Sequence, residues 1–110
     1  MADFPTKATD SGVVIVRPKG RLNMTVAAQL REQLLGLVQS GNSRLVVDLS
    51  AVDAIDSSGL GALISGLKAA RQSSGDLRIS GPCAQVTAVL ELTNLNRALI
   101  LVESPEDAFR

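Results

Sequence analysis

Apolar residues along this chain change their period several times, and each change marks an element. The run Val13-Val14-Ile15-Val16, preceded by the turn cluster Asp10-Ser11-Gly12, reads as a strand over 13–17. Phe4 to Ala8 supplies a candidate partner strand for a hairpin, and Pro5 confines that partner to a sheet edge because it has no N–H to donate. From Val26 the period lengthens: Val26, Leu30, Leu34, Leu37 and Val38 recur every three or four residues, with Gln29, Arg31, Glu32 and Gln33 between them. That spacing predicts an amphipathic helix, with Asn23 or Thr25 available to cap its start and Gly41 to end it.

Residues 44–50, RLVVDLS, carry a continuous apolar centre that suits a parallel strand covered on both faces. Leu60, Leu63, Ile64 and Leu67 mark a second amphipathic helix, with Lys68, Arg71 and Gln72 on its wet side and Gly75 as its stop. Asp76 to Ser80 alternates like a half-covered strand, and Gly81-Pro82 opens a third helical pattern through Val86, Val89 and Leu90. After a loop at Asn94 to Asn96, residues 98–102 read as the last strand. Ser104-Pro105-Glu106-Asp107 resembles a capped start of a terminal helix. Strands separated by helices require right-handed crossovers. The expected fold class is α/β, a mainly parallel β-sheet with an N-terminal β-hairpin and about four helices.

With 110 residues and 45% hydrophobic content, the chain supports one core and hence one domain over 1–110, with residues 1–3 expected to be flexible. A net charge of zero and only two aromatic residues, Phe4 and Phe109, argue against nucleic-acid binding, which needs a basic field and stacking rings. No apolar run approaches the ~20 residues that span a bilayer, and no export signal opens the chain, so a cytoplasmic protein without direct membrane insertion is expected. The single cysteine, Cys83, excludes an internal disulfide and reads as a small core residue. The absence of histidine removes the commonest general base, every Ser-His or Cys-His pair and most zinc sites. An enzyme is not expected, nor is a cofactor or a metal.

The unusual stretch is AIDSSGLG at 54–61, between a strand and a helix, where sites in parallel sheets tend to lie. It lacks the glycine two residues before the serine that a nucleophile elbow requires, the Gly-Lys-Ser/Thr end of a phosphate-binding loop, and the third glycine of a dinucleotide fingerprint. A phosphoacceptor aspartate at Asp48 or Asp53 would need an acidic pair for magnesium and a lysine past another strand end, and neither is present. From the residues alone, Ser57 and Ser58 read as helix-capping candidates, and one cap needs one serine. Gly59 and Gly61 cost up to ~1 kcal/mol each against alanine in a helix, which suggests close approach of another backbone.

The longer segment VVDLSAVDAIDSSGLGALISGLKAA, together with VVIVRPKGRLN earlier, resembles the STAS domains of bacterial anti-sigma factor antagonists. The resemblance runs over essentially the whole chain. It implies a STAS fold and a non-enzymatic partner switch: the domain binds an anti-sigma factor that is also a serine kinase of the GHKL type, is released when that kinase phosphorylates it, and is reset by a PP2C-type phosphatase. By motif position the phosphoacceptor is Ser57, with Ser58 as second choice and helix cap. The implied docking surface comprises Asn23, Thr25, Asp56, Ser57, Ser58, Gly59 and Leu60. The family often has aspartate where this chain has Asn23, so a charge-assisted contact would become a neutral one. The alternative implied by the same fold is a STAS accessory subunit of a lipid-type ABC transporter.

Overall fold

The computed structural model describes residues 4–109, so the expectation for residues 1–3 lies outside the described range. The hairpin forms where the turn cluster predicts it: β1 (Thr6–Ala8) runs antiparallel to β2 (Val14–Val16). Next come β3 (Gly20–Leu22), α1 (Met24–Gln39), β4 (Arg44–Asp48), β5 (Val52–Ile55), α2 (Ser57–Gln72), β6 (Asp76–Ser80), α3 (Ala84–Leu92) and β7 (Ile100–Val102). Five strands make one sheet in the order β1-β2-β4-β6-β7, with every pair beyond the hairpin parallel. The sheet is therefore mixed rather than purely parallel, and Pro5 precedes an edge strand as its missing donor requires.

The pleat sorts the apolar run of each strand onto two faces. Val14, Val16, Leu45, Val47, Leu77 and Ile79 face the helices, where they join Leu30 and Leu34 of α1, Leu63 and Leu67 of α2, and Val86 and Leu90 of α3 in one buried cluster. Burying each such side chain is worth roughly 1.5–3 kcal/mol against leaving it in water. All three helices thus lie on one side, as right-handed crossovers along a sheet extended in one direction dictate. The other face is covered differently. Val13, Ile15 and Val46 are buried there beneath Ala108, with Val102 and Phe109 packed alongside, so a short C-terminal segment does the work of a second helical layer. Arg78 fastens this segment: its guanidinium lies 4.3 Å from the Phe109 ring centroid and donates to the Ala108 carbonyl.

The expected terminal helix is replaced by a single 3-10 turn, Pro105–Asp107, so there are three α-helices among the described residues. The Ser104 hydroxyl bonds to the Glu106 carboxylate instead of to a backbone N–H, and the turn ends at once because Ala108 must enter the core. Another such turn, Leu95–Arg97, overlaps the expected loop at 94–96. The stop after α2 also differs in detail: the left-handed residue is Ser74, at φ 66°, while Gly75 packs so closely on Ser43 that no Cβ could fit. Two short strands, β3 and β5, have no counterpart in the sequence reading and pair only with each other, in parallel.

Candidate functional site

The β3–β5 ribbon aligns Arg21 with Ala54 and Leu22 with Ile55. Each strand is followed by one residue and then a helix, so the ribbon sets two helix N-termini side by side. At the first, the Asn23 Oδ1 accepts the Thr25 N–H at 3.1 Å; at the second, the Asp56 Oδ1 accepts the Gly59 N–H at 3.1 Å. The Asp56 backbone N–H donates to the Leu22 carbonyl at 3.3 Å and ties the two caps to one frame. Further along, Arg31 of α1 donates to the Ser65 hydroxyl of α2 at 3.4 Å. Two macrodipoles therefore point their positive ends at one patch of surface, one end met by a carboxylate and the other by an amide.

The Ser58 cap expected from the sequence is a correction: Asp56 caps α2, and Ser57 and Ser58 are the first two residues inside the helix. Aspartate is as good an N-cap as serine, and its carboxylate is better matched to the dipole. The Asp-x-x-Gly spacing could have signalled this. Of the two candidates for α1, Asn23 is the cap, and Thr25 lies exposed in the first turn.

Ser57 and Asp56 are exposed and Ser58 is half-buried. Gly59 and Leu60 lie beneath them: Leu60 is 7% exposed and belongs to the core, and a Cβ on Gly59 would stand 2.8 Å from Ile55 Cγ1 and 2.9 Å from Leu22 Cβ. Gly59 is thus required by the approach of β3, whereas Gly61 faces open space. Met24, the first residue of α1 and one the periodicity did not single out, is 76% exposed. A shallow depression of about 230 Å³ lined by Arg21, Asn23, Ala54 and Asp56 separates the two helix starts.

Chemically, the site offers an exposed primary hydroxyl over the free N–H groups of a helix's first turn, with no histidine in the chain to turn that hydroxyl into a nucleophile. A hydroxyl so placed can accept a phosphoryl group, and the first turn can hold the resulting anion. Among the described residues no group of three or more Cys, Asp or Glu side chains could hold a metal, and no helix is long and apolar enough to cross a membrane. Asp48, at the end of β4, belongs to a different cluster: Arg17 Nε donates to it at 3.1 Å and the Ser50 N–H at 3.0 Å.

Comparison with known proteins finds likeness of sequence and fold over most of the chain. A family model described as "Mlab, STAS domain" matches residues 6–103. A Thermotoga maritima protein assigned to the anti-sigma factor antagonists is 32% identical over 106 residues, which is 96% of this chain and 93% of that protein. Its crystal structure superimposes with a TM-score of 0.88, covering 96% of this chain and 90% of that one. The anti-sigma-B factor antagonist of Staphylococcus aureus is 31% identical over 91 residues, 83% of this chain and 84% of its own. The anti-sigma factor antagonist SpoIIAA in its unphosphorylated form shares the fold at a TM-score of 0.81 and 18% identity, over 94% and 91% of the two chains.

Proposed function

This chain belongs to the STAS domain family, and from that membership we propose that it is an anti-sigma factor antagonist, a non-enzymatic partner switch of the cytoplasm formed by one domain over residues 1–110. The observation that carries the proposal is the exposed Ser57 hydroxyl at the first position of α2, held beside the start of α1. In its unmodified state the protein docks an anti-sigma factor serine kinase of the GHKL type through Asn23, Thr25, Asp56, Ser57 and Ser58. Gly59 and Leu60 hold that surface in shape from below.

Phosphorylation of Ser57 adds about −1.5 to −2 charges at pH 7. The first turn of α2 favours an anion there, so the domain keeps its fold. A docked partner then meets added bulk and negative charge beside the Asp56 carboxylate, and it leaves. A PP2C-type phosphatase restores the hydroxyl. The signal stays local because both helix starts are already fixed by β3 and β5.

The test is to incubate the purified protein with ATP and anti-sigma kinases from its source organism, read by intact mass and by fragmentation. One phosphate on Ser57 supports the switch, and one on Ser58 moves its control point by a residue. No phosphate, with kinases active on other antagonists, favours an accessory subunit of a lipid-type ABC transporter, which needs the docking face but not the hydroxyl.

A further inference from the structure

The two edges of the five-stranded sheet are built differently. At one edge β1 is Thr6-Lys7-Ala8, preceded by Pro5, with the Lys7 side chain 57% exposed. A proline and a central lysine are what an edge carries when it must not pair with another chain. At the other edge β7 is Ile100-Leu101-Val102, bonded to β6 on one side, and among the described residues no strand lies on its outer side. Ile100 is 43% and Leu101 58% exposed. Being consecutive, they stand on opposite faces, so the edge is apolar above and below.

Two further observations say what fits this edge. On the helix face, a mostly apolar groove of about 250 Å³ lies between α3 and β7, lined by Ile79, Leu90, Leu99 and Leu101 and also by Thr87, Glu91 and Asn96. Leu101 thus stands on the rim of a groove sized for side chains like itself. Exposed charges of opposite sign flank the strand, Arg97 three residues before it and Glu103 immediately after, and among the described residues neither makes an ion pair. An antiparallel partner of the same sequence brings the Arg97 end of each copy to the Glu103 end of the other. That surface is self-complementary, which is what a two-fold interface requires.

We propose that two copies of this chain pair β7 against β7, antiparallel about a two-fold axis, so that their five-stranded sheets join edge to edge. Backbone hydrogen bonds along the strand supply the common contact, and Leu101 of each copy lies over the groove of the other. Asn23, Asp56 and Ser57 belong to none of β7, α3 or the 95–97 turn, so the proposed contact uses none of these docking residues. This interface is independent of the partner-switch reading.

Sedimentation velocity of the full chain over rising concentration tests it. Wild type should sediment with twice the monomer mass, and Leu101→Lys should dissociate at least about tenfold more readily, with unchanged far-UV circular dichroism. Ala8→Lys, at the other edge, should dimerise like wild type. Arg97→Glu should weaken the dimer, and Arg97→Glu with Glu103→Arg should restore it. A monomeric wild type at about 1 mM, a Leu101→Lys dimer as tight as wild type, or loss of the dimer in Ala8→Lys would overturn the proposal. Should Leu101→Lys not fold, the charge-swap pair decides: a double variant no tighter than Arg97→Glu overturns the antiparallel geometry.

Discussion

Gly59 meets the backbone of Leu22 so closely that its missing Cβ is a contact between α2 and β3. Gly59→Ala would gain up to ~1 kcal/mol of helix propensity. Against that stands a collision with a strand carbonyl that cannot rotate away, and overpacking of this kind costs typically 1–3 kcal/mol. The variant should be less stable than wild type in urea denaturation. Gly61→Ala, in open space, should be slightly more stable. Equal stabilities for the two would show that β3 yields freely.

Asp56 caps α2 and, in the proposed switch, flanks the phosphate, and substitution separates the two. Asp56→Ala removes the cap of α2 and should cost about 0.5–2 kcal/mol in thermal unfolding. Asp56→Asn keeps an oxygen for the Gly59 N–H and should lie within a few tenths of a kcal/mol of wild type. If the carboxylate contributes to release of a phosphorylated complex, the asparagine variant phosphorylated on Ser57 should retain more kinase binding than phosphorylated wild type, measured by calorimetry.

Ser57 is exposed, so its substitutions should spare the fold. Ser57→Asp and Ser57→Ala should both unfold within about 0.5 kcal/mol of wild type. Ser57→Asp should bind the cognate kinase about a hundredfold more weakly, since like charges set together at an interface cost several kcal/mol. Ser57→Ala should bind as wild type does and take up no phosphate at that position. A Ser57→Asp protein that binds normally would remove charge from the explanation.

The Arg17–Asp48 pair should show itself in acid. Burial pushes the Asp48 carboxyl up, but hydrogen bonds from Ser50 and the Arg17 guanidinium outweigh it and hold the group below its usual 3.8. A carboxyl depressed in the folded state stabilises the protein above the unfolded value and loses that contribution as pH falls through the folded one. Stability should therefore decline below about pH 4, and Asp48→Asn should lose less than wild type between pH 7 and pH 3. Urea midpoints at the two pH values give the comparison.

Much of this architecture was legible because long elements repeat their signal. Leu30 with Leu34, and Leu63 with Leu67, announce α1 and α2, and the runs around Ile15 and Val46 announce central strands. β6 has the bounds that its alternation predicts. The ribbon that builds the site was not legible. Gly20–Leu22 and Val52–Ile55 are too short to show a period, and each is a strand only because the other lies beside it. The capping residue of α2 is ambiguous in the sequence, because Asp56, Ser57 and Ser58 are all good N-caps and only the start of the helix decides among them. Exposure of Met24 and of Leu101 is a tertiary fact that no local pattern carries.

The cover over Val13, Ile15 and Val46 has a consequence for synthesis. Its residues, Ala108 and Phe109, are made long after the strands they protect. At about 5–20 residues per second, the ribosome leaves that sheet face bare for roughly 3–12 s after Val46 is made. During this interval the nascent chain can assemble β2, α1, β4 and α2, yet it presents an oily surface to every neighbour on the polysome. Arg78 of β6 supplies the guanidinium that meets the Phe109 ring and the Ala108 carbonyl, so this face cannot close before the C-terminal segment has been made.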